Sequence, residues 1–189
     1  MNILNELKSP YDLLEYMNSN ITYGFVGKNG KKYSNMYSEE WNDWYKVYYL
    51  QNGEDVLKSN VGICWDQVEL ERLWFEKNNY SFKTFFIIFE VDRKNDLPSH
   101  TFLIYEKDNK YYWFEHSFDQ YKGITEFNSE EEAVKFVMNK QYEFVSNGEY
   151  DLRPGDYEKL KVYVYSKPNY HIGVDDYLKF VTKEKYNNN

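Results

Sequence analysis

Residues 62–76 run Gly62-Ile63-Cys64-Trp65-Asp66-Gln67-Val68-Glu69-Leu70-Glu71-Arg72-Leu73-Trp74-Phe75-Glu76. From Cys64 onward these are good helix formers. An acid, Asp66, stands in the first turn, where the positive end of the helix dipole favours it. Gly62 closes the preceding loop, and Asn78-Asn79 end the helix. Glu69 and Glu71 read, with Arg72, as its solvated face. The chain's single cysteine therefore stands at a helix start. A free cysteine is by default a small buried hydrophobe. At a helix start the dipole favours thiolate, and the unpaired N–H groups of the first turn can bind an oxyanion.

Extended segments follow this helix. Lys83–Val91 is β-branched and aromatic and predicts a central strand. His100–Glu106 and Lys110–His116 flank Lys107-Asp108-Asn109, a hairpin turn. Gly123–Phe127 is a short extended piece. Ser129 caps a helix with an acidic first turn that runs to about Gln141. Residues 146–158 read as loop, Leu160–Ser166 as an alternating strand, Val174–Thr182 as a short helix and Lys183–Asn189 as a frayed polar tail. Before Cys64, Ser9-Pro10 opens a helix over 9–21 with Leu13, Leu14, Met17 and Ile21 on one stripe. Residues 22–35 are turn-rich, and 36–60 are irregular with short helices near Glu39–Tyr45 and Glu54–Lys58. With no repeat and no βαβ alternation, the order predicts an α+β fold, an antiparallel sheet packed against a central helix that carries Cys64 at its N-terminus.

A nucleophilic thiol needs a base. His100 begins a strand, and Glu115 lies 15 residues later on the next. If Asp108-Asn109 alone form the turn, Phe102 sits opposite Glu115. Glu115 and His100 then share a face, on a diagonal within side-chain reach. A three-residue turn would bring His116 to that face instead. His116 is thus an alternative base or a substrate contact, and otherwise a hydrogen-bonded structural histidine. His171 reads as structural. Trp65, beside the thiol, either walls a cleft or packs in the core.

The chain has 189 residues, 42% of them apolar, with 21 Tyr, 13 Phe and 5 Trp, enough for an aromatic core. Its formal charge is −8, and only Arg72, Arg93 and Arg153 are arginines. Such a surface repels phosphate backbones, so nucleic acid is not an expected partner. The longest apolar run, residues 84–89, is too short to span a bilayer, and no signal peptide is expected. One cysteine permits no internal disulfide, and a cytoplasmic protein is expected. Cys64, His100, His116 and His171 lack zinc-ligand spacing, and neither a phosphate loop nor a Gly-x-Ser-x-Gly elbow occurs, so no metal or cofactor is expected.

Gly62-Ile63-Cys64-Trp65-Asp66, then His100-Thr101-Phe102, then Tyr112-Trp113-Phe114-Glu115-His116 resemble the transglutaminase-like superfamily, which shares the papain-like cysteine peptidase fold. The match covers under a third of the chain. It implies one domain over 1–189, with a catalytic core at about 36–145 and a C-terminal strand and helix over 159–183. It also implies a catalytic Cys64, His100 and Glu115, with Glu where the family usually has Asp. The family's upstream oxyanion donor, commonly Trp or Gln, has only candidates: Trp41, Trp44 and Gln51. The implied chemistry is attack of the thiolate on an amide or ester carbonyl, giving a thioester that water or an amine resolves. The substrate would be a protein, a peptide or a small amide. Two other readings use the same residues: a non-catalytic binding module that keeps the fold, and an arylamine acetyltransferase-like activity.

Overall fold

Ser9 caps α1 (Pro10–Asn20) reciprocally: its Oγ accepts from Asp12 N–H, and the Asp12 carboxylate accepts from Ser9 N–H at 2.9 Å. The computed structural model from which these contacts are read describes residues 3–36, 38–90, 98–147 and 156–187. The turn-rich stretch after α1 holds three two-residue strands, β1 (Thr22–Tyr23), β2 (Phe25–Val26) and β3 (Lys32–Tyr33). Two short helices follow, α2 (Trp44–Val47) and α3 (Gly53–Ser59), then β4 (Val61–Gly62). β4 runs parallel to β1, with Tyr23 beside Gly62. The central helix, α4, spans Cys64–Lys77.

The rest of the chain builds an antiparallel sheet. β5 (Ser81–Phe89), β6 (Ser99–Lys107), β7 (Lys110–Glu115), β8 (Gly123–Phe127) and β9 (Leu160–Tyr165) lie in the order β8-β7-β6-β5-β9. The β6–β7 turn is the two-residue kind. Asp108 and Asn109 have φ of 53° and 59°, the paired left-handed conformation that matches strand twist. Lys107 pairs with Lys110 and Leu103 with Phe114, which keeps His100 and Glu115 on one face. α5 (Glu130–Asn147) extends beyond the expected end near Gln141. α6 (Val174–Val181) closes the chain's regular structure.

Alternation of side chains gives the sheet two apolar faces. Phe86, Ile88, Leu103 and Phe114 join the core with α4, while Phe85, Ile87, Phe102 and Trp113 join the core under α5. The chain is thus α+β, with an antiparallel sheet carrying helices on both faces. No helix among the described residues is long and apolar enough to cross a membrane.

Two expectations are corrected. Glu69, Glu71 and Arg72 are not a solvated face: they are 0%, 3% and 5% exposed. α4 packs on β5 and β6 and also on α3, and Tyr170 closes over Glu69, so the helix has no wet side there. The tail does not fray as far as residue 187. It returns along β9, where Val164 N–H donates to the Glu184 carbonyl at 3.0 Å and Tyr186 N–H to the Val162 carbonyl at 2.9 Å. Of the loop expected at 146–158, residues 148–155 lie outside the described residues, and Asp156–Lys159 form a short 3-10 turn.

Candidate active site

Cys64 is the first residue of α4 and 7% exposed. Its position is held from two sides. The Asp66 carboxylate, fully buried, accepts from Ile63 N–H at 3.1 Å, from Gln51 N–H at 2.9 Å and from the Tyr48 hydroxyl at 2.8 Å. Gln67, one turn after the cysteine, donates its side-chain amide to the Gly62 carbonyl at 2.7 Å. Gly62 is needed there: a Cβ would come within 3.0 Å of the Asp66 Cβ and 3.2 Å of the Gln67 Cγ. Burial pushes Asp66 up to about 7 despite the donors that favour its charge.

His100, at the start of β6, and Glu115, at the end of β7, meet through Nε2 and Oε2 at 2.7 Å. Both are buried. The other Glu115 oxygen accepts from Phe118 N–H at 2.8 Å and from the Ser117 hydroxyl at 3.1 Å. Glutamate's extra methylene therefore does not leave the carboxylate loose. The imidazole also interacts with the Cys64 thiol, and the two line one cavity. Since Nε2 is committed to Glu115, Nδ1 is the nitrogen left for sulfur. Burial pulls the imidazole down, but the Glu115 carboxylate and Cys64 outweigh it, and His100 is pushed up to about 10. The ring is thus held as a cation at neutral pH. Thiol, imidazole and carboxylate thus stand next to one another.

One residue beside the thiol was not found in the sequence. The Tyr23 hydroxyl lies against both the thiol and the main-chain N–H of Cys64. The parallel pairing of β1 with β4 puts it there, by setting Tyr23 beside Gly62. Burial raises this phenol well above its ordinary value, with the neighbouring Cys64 adding to the effect, so the hydroxyl keeps its proton. A close approach is built around it: a Cβ on Gly24 would meet the Tyr33 carbonyl at 2.5 Å and Val61 at 2.9 Å. The Tyr-Gly pair carries that packing signal, but a two-residue strand has no readable period.

A cavity of about 570 Å³ opens above the thiol. Tyr23, Cys64, Gln67, His100 and His116 all line it. At its rim Met36 and Phe144 are 46% and 42% exposed. The four other oxyanion or cleft candidates are placed elsewhere. Trp65 is 4% exposed and packs among Trp44, Tyr48, Phe86 and Tyr177 in the core beneath α4. Trp44 belongs to the same aromatic cluster, with Phe25. Gln51 spends its amide on the Val61 carbonyl and the Ser59 hydroxyl. Trp41 packs edge-on against Phe25. His116 lines the cavity but cannot serve as the base for Cys64. Its Nδ1 is 2.6 Å from Gln67 Oε1, and burial holds it down to about 4, with Lys122 adding to that. His171, at the surface, bonds Asp55 at 2.8 Å. Among the described residues no cluster of three metal-ligating side chains forms.

No protein-family model matches the chain, and no curated protein matches it.

Proposed function

We propose that the protein is a cysteine-dependent enzyme of the transglutaminase-like type, with the papain-like arrangement of nucleophile helix and sheet. The observation that carries this reading is the contact chain Cys64–His100–Glu115 at the floor of an open cavity. A buried ion pair alone is often structural. A thiol at a helix start, facing a cationic imidazole and open space, has few structural uses.

In this mechanism Cys64 and His100 rest as a thiolate–imidazolium pair, the cysteine's proton held on the ring, and Glu115 fixes the ring and stabilises its charge. The thiolate attacks the carbonyl carbon of an amide or ester. Charge moves to the carbonyl oxygen, which the Cys64 N–H and the Tyr23 hydroxyl are placed to receive. The intermediate collapses, the leaving amine or alcohol takes the proton from His100, and a thioester remains on Cys64. Water or an amine, deprotonated by His100, then releases the acyl group. The substrate is a protein, a peptide or a small amide, and the free thiol fits the reducing cytoplasm. The non-catalytic module drew its support from glutamate in place of aspartate and from the missing oxyanion donor. The filled hydrogen bonds of Glu115 and the position of Tyr23 favour the enzyme.

The test is alkylation of the folded protein with iodoacetamide at pH 7, read by intact mass, followed by exposure to activated acyl esters. The expected result is one equivalent of label on Cys64 and a trappable acyl adduct, both absent from Cys64→Ser. A thiol inert at pH 7 in the folded chain overturns the proposal.

A further inference from the structure

Six buried residues around the thiol close a ring. Gly62 and Cys64 are two apart in the chain, Cys64 contacts His100, and His100 bonds Glu115. Glu115 is followed directly by His116, His116 bonds Gln67, and Gln67 returns to the Gly62 carbonyl. Gln67, Glu115 and His116 are each no more than 2% exposed. We propose that Gln67 and His116 are a positioning pair: they close this ring by tying the turn before the nucleophile to the end of the acid's strand, and so hold His100 against Cys64. The proposal rests on the enzymatic reading of that site.

The hydrogen positions follow from the partners. A main-chain carbonyl only accepts, so the NH2 of Gln67 faces Gly62. The Gln67 oxygen therefore faces His116, and His116 must donate from Nδ1. Because burial keeps this imidazole neutral at ordinary pH, the Nδ1–H donor is present throughout the range in which a cysteine enzyme works. The ring's main-chain neighbour is Met17 on α1. β7 carries Glu115 and α4 carries Cys64, and this bridge joins the two elements where their chemistry meets. Slippage between them would separate imidazole from sulfur, and small misplacements of reacting groups are costly.

Three full-length variants test the pair: His116→Phe, Gln67→Leu and His116→Asn. The Asn side chain can place an N–H where Nδ1–H stands. Two readouts are taken: the pH profile of Cys64 alkylation by iodoacetamide, and the low-field proton signal of the His100 N–H that bonds Glu115. His116→Phe and Gln67→Leu should slow alkylation at pH 7 by about tenfold to a hundredfold and shift its pH profile, while His116→Asn stays within about threefold of wild type. The His100 signal should move or broaden in the first two and persist in the third. Wild-type behaviour in all three overturns the proposal. So does an Asn variant as impaired as the Phe variant, since packing alone then explains the site. If His116→Phe does not fold, the contrast of Gln67→Leu with His116→Asn decides. If the wild-type thiol proves inert, the enzymatic reading fails by itself, and the His100 signal still reports whether the ring is closed as described.

Discussion

Two buried polar clusters sit on α4, about two turns apart, and they differ in what they enclose. At the helix start, Glu115 and His100 surround a thiol that faces a cavity. Further along, Glu69 accepts from Arg72 Nε at 2.9 Å and from the Tyr170 hydroxyl at 3.0 Å, and the guanidinium continues to Thr84 on β5 at 2.5 Å. Arg72 also lies over the rings of Tyr165 and Phe82. Both clusters contain an acid bonded to a cation, and burial perturbs both. The second fastens α4 to β5 and to the chain after β9, and it holds no nucleophile. Perturbed titration therefore does not by itself single out the proposed site. What separates the two is a reactive atom with room above it.

The widest separation of the two clusters is expected from their acids. Glu115→Gln should cost roughly 10⁴-fold in turnover, because an amide no longer fixes the imidazole or stabilises its charge. Stability, read by urea denaturation, should change far less than turnover. Equal losses in both would place Glu115 with the fastening cluster. Arg72→Met should do the reverse. Leaving Glu69 buried without its cation should destabilise the fold by about 3–5 kcal/mol, while the folded fraction alkylates at the wild-type rate. A selective loss of Cys64 reactivity in this variant would join the clusters that the structure keeps apart.

Tyr23→Phe probes the cavity side alone. It should lower turnover by about 10²–10³-fold, the effect of losing one oxyanion donor. Alkylation by iodoacetamide, which builds no oxyanion, should be nearly unchanged. If both rates fall together, Tyr23 acts on the thiol and not on the transition state.

A pH slope is expected as well. Asp66 titrates in the folded chain near 7, above its unfolded value. Between those two values the unfolded carboxyl has lost its proton and the folded one has not. Rising pH through that window therefore weakens the fold, and the contribution levels off above 7. Denaturation midpoints of wild type and Asp66→Asn, compared at pH 4.5 and 7.5, should show the wild type falling further. A parallel fall in both would assign the slope to other groups.

The same contrast explains what could be read in the sequence. Local signals carried well. Ser9-Pro10 marked a helix start, Lys107-Asp108-Asn109 marked a hairpin turn, and helix formers after Gly62 marked the start of α4. Hairpin parity paired His100 with Glu115 only on condition of a two-residue turn and otherwise favoured His116; the structure supplies the two-residue turn. Non-local facts were hidden. Glu69, Glu71 and Arg72 look like any solvated helix face until α3 and Tyr170 are seen to close over them. Tyr23 reaches the thiol through a parallel pairing between strands of two residues each, too short to leave a pattern. Trp44 and Gln51 had the right chemistry for an oxyanion hole, but their neighbours claim them.

The Asp108-Asn109 turn lies at the far end of the hairpin from the thiol, yet the identity of the acid depends on it. Adding or removing one residue there would leave every other side chain in the chain intact and still present the wrong face of β7 to His100. The loop therefore accepts exchange among residues that adopt a left-handed backbone, such as Asn, Asp and Gly, and does not accept changes of length. In a diverging lineage, that turn should vary within this small set while its residue count stays frozen.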